Sequence, residues 1–223
     1  MNTREATAPD AAVGMALEHE SADLHVSGQA IYTDDIAEAE GTLHAAIGLS
    51  SVAHGTIDEM DLSGVASYPG VVGVFTARDI PGSNAFGIVA HDEPILGDKT
   101  VSYWGQPVFV VVATSTDSAR RAALRARITY GALEAVLDPF EAKARAAFVA
   151  PTRTIRHGRA QPALATAPVR CEGNIRIGGQ EHFYLEGQVA YAIPAEDRKM
   201  LIHSATQHPT EMQQVVAKLL GWP

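Results

Sequence analysis

A glycine-led stretch, Gly178-Gly179-Gln180-Glu181-His182-Phe183-Tyr184-Leu185-Glu186-Gly187, is unusually dense in side chains that donate and accept hydrogen bonds. His182, Tyr184 and Glu186 alternate with Glu181, Phe183 and Leu185, so the stretch reads as a strand with one polar and one apolar face. Two leading glycines suit a tight turn or a close approach of backbone to a bound group. No general catalytic pattern fits these residues; their chemistry is that of a ligand-contacting edge, or of a strand whose polar face is solvated. His19, His25, Asp34 and Asp35 form a second candidate set, because imidazoles and carboxylates ligate metals. Their spacing matches no standard zinc or calcium loop, and the simpler reading is a loop and short strand closing on an Asp-Asp turn. Arg120, Arg121, Arg125 and Arg127 suggest either phosphate binding or a solvated helix face. Cys171, without a partnering histidine motif, reads as a packed or incidental thiol. No residue is assigned a catalytic or metal-ligating role.

The motifs that are missing narrow the function. Neither G-x-G-x-x-G nor G-x-x-x-x-G-K-[ST] occurs, and Gly48-Leu49-Ser50-Ser51-Val52 lacks the closing glycine of a nucleophile elbow. Seventeen basic against 26 acidic residues give a net charge of −9, which disfavours nucleic acid as a partner. At 223 residues, 46% hydrophobic and 19% charged, the chain is long and apolar enough to bury a real core. The first ten residues have no apolar core, no run approaches the ~18 apolar residues of a membrane span, and a single cysteine fits a reducing compartment. A cytoplasmic protein with no membrane partner is expected.

The elements that must position the glycine-led stretch follow from the pattern of apolar and turn residues. Residues 1–20 read as a polar tail. Strands are expected over 42–50, 71–76 (buried on both faces), 108–113 and 128–130, with a long loop over 79–100. Asp61 is placed to cap a short helix over 62–67, stopped by Pro69-Gly70. A helix after Ser115-Thr116-Asp117, with Asp117 the favoured cap, carries Ala119, Ala122, Ala123 and Ala126 at helical spacing and completes a strand–helix–strand unit. Residues 134–172, rich in alanine and proline, read as a connector with a short helix near 140–147. Strands over 188–193 and 200–205 flank a charged turn. Pro209 then opens an amphipathic helix, with Met212, Val215, Val216, Leu219 and Leu220 in register, ending at Gly221.

Three segments carry a family resemblance. GGQEHFYLEG resembles the glutamine segment of the molybdenum-binding subunit of bacterial xanthine dehydrogenases, within the molybdenum hydroxylase family. His19-Glu20-Ser21-Ala22 with His25-Val26, Gly28, Ala30, Tyr32 and Asp34-Asp35 resembles the "HESA…HVxGxAxYxDD" opening of their hammerhead domain. Ser204-Ala205-Thr206-Gln207 resembles the turn that follows the glutamine strand. The resemblance implies an α+β chain: an N-terminal α/β hammerhead domain over 21–135, a connector over 136–172, and the incomplete start of a molybdopterin-binding α+β domain over 173–223. It implies that Gln180 hydrogen-bonds an oxo ligand of the molybdenum centre. It further implies 2Fe-2S clusters and FAD on partner chains or domains, and hydroxylation of a purine such as hypoxanthine or xanthine.

In the resembled family a GGGFGGKE-type segment, a substrate-orienting arginine and a late glutamate base lie beyond the region matched here. The expectation is therefore a chain that has no turnover alone, with helix 209–220 turned toward a domain outside the sequence. The alternatives are a non-catalytic hammerhead-type module that binds partner subunits, and an aldehyde oxidase-like hydroxylase.

Overall fold

The computed structural model describes residues 14–87 and 90–223. Most of the expected polar tail (residues 1–13) and two residues of the 79–100 loop lie outside the described residues. In chain order the first elements are α1 (Ala22–Ser27), β1 (His44–Leu49), β2 (Gly55–Asp61), α2 (Ser63–Ala66) and β3 (Val71–Thr76). Short β4 (Ala85–Phe86), β5 (Glu93–Pro94) and β6 (Thr100–Val101) precede β7 (Pro107–Ala113), α3 (Thr116–Ala123) and β8 (Arg127–Ala132). The chain closes with α4 (Pro139–Ala144), α5 (Ala160–Thr166), β9 (Ala190–Ala195), β10 (Lys199–Ser204) and α6 (Pro209–Leu220). These elements form two compact units, each assembled from two separate parts of the chain. One comprises residues 14–39 with Tyr184–Gln207, the other Glu40–Phe183 with His208–Pro223. Among the described residues no helix is long and apolar enough to cross a membrane.

The larger unit is built on β7. It pairs antiparallel with β1 on one side and β3 on the other, in the order β1-β7-β3. Val108, Phe109, Val111 and Ala113 are buried, and with Val65, Val101 and Ala122 they form most of the core. Each fully buried valine or phenylalanine side chain of this set contributes roughly 1.5–3 kcal/mol. A second sheet, β6-β2-β8, sends Val101, Ile57, Met60, Ile128 and Tyr130 to the same core.

Because β7 and β8 lie in different sheets, the expected strand–helix–strand unit is not a crossover within one sheet. α3 packs instead on β1 and β7 through the buried Ala119 and Ala122. Ser115 caps α3, its Oγ accepting from the Ser118 N–H at 3.2 Å, while the favoured Asp117 is drawn along the helix surface to Arg121 at 2.8 Å. β3 differs from expectation too. It is an edge strand with a register shift at Val72, and Val72 and Phe75 are 61% and 48% exposed rather than buried. β2 was not foreseen as a strand, although Asp61 does accept from the Ser63 N–H at 2.9 Å to start α2.

Two close approaches explain glycines. Gly48 pairs with Phe109 across β1 and β7, and a Cβ there would run into the Phe109 ring. The ring thus occupies the space above the glycine, fixing both residues. Gly82 and Ser83 donate their backbone N–H groups to the carbonyls of Leu219 and Lys218, each at 2.9 Å. The last carbonyls of a helix lack the regular internal donors, and the loop supplies them at Leu219 and, beside the Gly221 N–H, at Lys218. A Cβ at Gly82 would collide with the Lys218 carbonyl, so glycine alone permits the contact. The far end of α6 is fixed by the His208 ring, which accepts from the Glu211 N–H at 3.2 Å, and Gly221 follows in the left-handed region at φ 65°. Met212, Val215, Val216, Leu219 and Leu220 are accordingly half-buried rather than exposed.

Gly48→Ala should destabilise the larger unit by roughly 1–3 kcal/mol through overpacking, measured by urea unfolding, with Phe109→Leu in the same chain recovering part of the loss. Asp79 accepts from the backbone N–H and the hydroxyl of Thr76, and these bonds hold its carboxyl below the usual aspartate range. Since the folded pKa is the lower one, the stability it contributes is present above the ordinary aspartate pKa and is lost as pH falls through the depressed value. Carboxyl NMR titration should find the Asp79 midpoint below that of an aspartate in a short peptide of the same sequence.

Candidate functional site

The Gly178–Gly187 stretch is not the strand that its alternation predicts. No regular element covers it, and β9 begins only at Ala190. A strand needs a neighbouring backbone to take its N–H and C=O groups, and among the described residues none pairs with this segment. Phe183 adopts φ 50°, which interrupts the side-to-side alternation at the middle of the stretch. Gln180 is exposed and makes no hydrogen bond among the described residues. A Cβ added at Gly178 or Gly179 would meet nothing within 4 Å, so neither glycine is required by packing within this chain. Within the same stretch Glu181 accepts from the Phe183 N–H at 3.3 Å, and Phe183 is 93% exposed.

The end of the stretch, from Tyr184 onward, belongs to the smaller unit and is held there. The Glu186 carboxylate oxygen Oε1 accepts from both the backbone N–H and the hydroxyl of Thr33, each at 3.2 Å. Thr33 opens a single 3-10 turn, Thr33–Asp35, closed by the Asp35 carboxylate, which accepts from the Tyr32 N–H at 2.9 Å. Gly187 runs beside Asp34, and Gln188 donates to the Tyr184 hydroxyl at 3.2 Å. The antiparallel β9–β10 hairpin follows. It is closed by consecutive positive φ angles at Asp197 and Arg198 and a bond from the Lys199 N–H to the Glu196 carbonyl, as in a type I′ turn. Tyr191 stacks on its cross-strand partner His203 and accepts from the Ala39 N–H at 2.9 Å. Neither Thr33 nor Glu186 stands out in the sequence, since their pairing links two segments that lie far apart in the chain.

The other candidates are placed as follows. Residues 22–27 form α1 rather than the expected short strand, ended by Gly28 at φ 71°. His25 Nδ1 lies 3.1 Å from the Tyr32 hydroxyl, and the His19 ring meets the His25 ring edge-on. Asp34 and Asp35 sit in the 3-10 turn, and no three His, Cys, Asp or Glu side chains converge among the described residues. Cys171 is exposed. Of the arginines, Arg121 pairs with Asp117, while Arg125 lies over the Tyr68 ring at 5.8 Å. Arg125 and Arg127 line an open cleft of about 350 Å³ with Asp61, Ser63 and Tyr68. Hydrogen bonds from the Ser63 hydroxyl and N–H lower the Asp61 pKa, with the charge of Arg127 adding to them.

Residues 27–134 match the family described as aldehyde oxidase and xanthine dehydrogenase, a/b hammerhead domain, and residues 140–223 match the molybdopterin cofactor-binding domain. Among curated relatives the chain is 39% identical to a xanthine dehydrogenase of Oryza sativa subsp. japonica and 36% identical to aldehyde oxidase 2 of Rattus norvegicus. Each alignment covers 95% of this chain and 16% of the relative. Among solved structures, the aldehyde oxidoreductase of Desulfovibrio gigas aligns with 92% of this chain and 25% of its own, with 28% identity and a TM-score of 0.77. The chain thus spans about one sixth of the length of these curated relatives. The Gly178–Gly187 stretch falls inside the second matched region and the paired β1-β7-β3 and β6-β2-β8 sheets inside the first. Over the residues it spans, the chain belongs to the molybdenum hydroxylase family, as an α/β hammerhead domain followed by the start of a molybdopterin cofactor-binding domain.

Proposed function

We propose that this chain forms part of the molybdenum subunit of a xanthine dehydrogenase-type enzyme that hydroxylates a purine, and that Gln180 is its contact to the cofactor. The observation that carries this reading is the position of Gln180 within the molybdopterin-binding match, exposed and with its carboxamide uncommitted. The residues around it fit a contact to a bound group. Gly178 and Gly179 leave open space on their Cα atoms, so a large ligand can approach the backbone there, and the Gln180 amide N–H groups are available to donate. They do not make a complete binding site, because one outer hydrogen bond orients a metal centre without holding it.

When bound, molybdenum-molybdopterin supplies the oxygen-transfer and redox chemistry of the hydroxylation. This chain supplies Gln180, whose carboxamide N–H would donate to the bound cofactor and so orient it. It also supplies the hammerhead fold, whose two sheets share one apolar core. A partner carrying 2Fe-2S clusters and FAD completes the proposed assembly, in a reducing, cytoplasmic setting consistent with one cysteine. The identity to a xanthine dehydrogenase favours a purine substrate. The likeness to an aldehyde oxidoreductase structure supports a second reading, in which the substrate is an aldehyde.

Purified alone, the chain should retain no molybdenum after gel filtration, and xanthine should yield no urate above background. In an assembled enzyme containing this chain, Gln180→Ala should lower turnover about 10–100-fold, the usual cost of losing an outer-sphere partner. In the isolated chain the same substitution should shift urea stability by no more than about 0.5 kcal/mol. Turnover of an aldehyde but not of xanthine by the assembled enzyme would select the second reading, and unchanged turnover in Gln180→Ala would remove Gln180 from the site.

A further inference from the structure

We infer that Glu186 and Thr33 form a positioning clasp for the segment that carries Gln180. The inference rests on the cofactor reading of Gln180 but on separate observations. The stretch from Gly178 to Gly187 has no regular secondary structure, so no backbone ladder fixes its course. Its last residues are instead held by a side chain: Glu186 Oε1 receives two hydrogen bonds from Thr33, one from the main chain and one from the hydroxyl. Thr33 is buried, at 9% exposure, and Glu186 is half-buried, so water competes little for these bonds. The donor is itself rigid. Thr33 belongs to a turn locked by the Tyr32–Asp35 bond, and Ala39 is bonded to the Tyr191 hydroxyl at the start of the hairpin. Residues 33–39 therefore grip the chain on both sides of Gly187, at Glu186 and at Tyr191.

A carboxylate that accepts two donors from one threonine defines direction as well as distance. Hydrogen bonds to a charged acceptor are stronger than neutral ones, and these replace the ladder that the segment lacks. Glu186 thus acts through the chain, fixing the end of a short tether on which Gln180 sits six residues earlier. Thr33 is its matched donor, with the hydroxyl needed and the methyl dispensable.

The test is backbone ¹⁵N relaxation on the purified chain, with paramagnetic resonance of the molybdenum in the assembled enzyme. Order parameters for Tyr184–Gly187 should be near about 0.85 in the native chain and fall below about 0.6 in Glu186→Ala. Thr33→Val should give an intermediate loss and Thr33→Ser should match the native chain, while the amides of β7 stay unchanged in all three. In the assembled enzyme, Glu186→Ala should alter the molybdenum spectrum in the same sense as Gln180→Ala, and should lower kcat more than it raises KM. Native-like order in both Glu186→Ala and Thr33→Val overturns the clasp. A spectrum that responds to Gln180→Ala and not to Glu186→Ala overturns the positioning role alone. A spectrum indifferent to Gln180→Ala overturns the cofactor reading on which that role depends, while the relaxation data still decide the clasp.

Discussion

The larger unit depends on the burial of β7 between two antiparallel neighbours. Phe109 sits over Gly48 on one neighbour, Val111 faces Ala46 and Val74, and the small side chains of Ala119 and Ala122 let α3 close over the same sheet. Close packing makes these choices interdependent: a ring over a glycine, and alanines beneath a helix, fit only as a set. The second sheet completes the core through Val101, Ile57, Met60 and Ile128, so the two sheets are joined by shared apolar contacts. That arrangement leaves one face of the first sheet outward. Ile47 and Phe75 flank Val110 in a single row across its three strands, and both are about half exposed.

The Gln180 segment obeys a different rule. Where β7 is fixed by ladder bonds on both sides, residues 178–187 depend on side-chain contacts at one end and are open at the other. A hydrogen-bonding residue that must meet a ligand cannot spend its donors on its own fold. Gln180 is exposed with its amide uncommitted, while the carboxylate of Glu186, in the same short stretch, is engaged by Thr33, a division that suits the proposed cofactor contact. The two glycines are unneeded for packing within this chain and leave open space beside Gln180.

Much of the fold is legible from residue types because local rules dominate there. The β-branched runs of β3 and β7, Pro209 and Gly221 at the two ends of α6, and Asp61 before α2 each declare an element without help from distant contacts. The misreadings have a common cause. β2 is acidic and poor in β-branched residues, and becomes a strand because β6 and β8 flank it. The Gly178–Gly187 alternation has a strand's pattern and no partner strand. Asp117 lost the cap of α3 because Arg121, one turn on, offers it an ion pair while Ser115 is better placed. At the candidate site the glutamine is legible only through family likeness, and the Thr33–Glu186 bond not at all, since no local rule joins residues so distant in sequence.

Both units are discontinuous, and their segments interleave along the chain. This sets an order in time. During synthesis the sheets around β7 can close as soon as β8 has emerged, but the Gly82 and Ser83 amides wait for the last turn of α6. Residues 14–39 wait longer than any other part of the described chain, since their partners begin only at Tyr184. Closing such long loops is entropically slow and exposes apolar surface meanwhile. A pause or a chaperone acting while residues 140–183 are being made would therefore affect the yield of the smaller unit more than that of the hammerhead sheets.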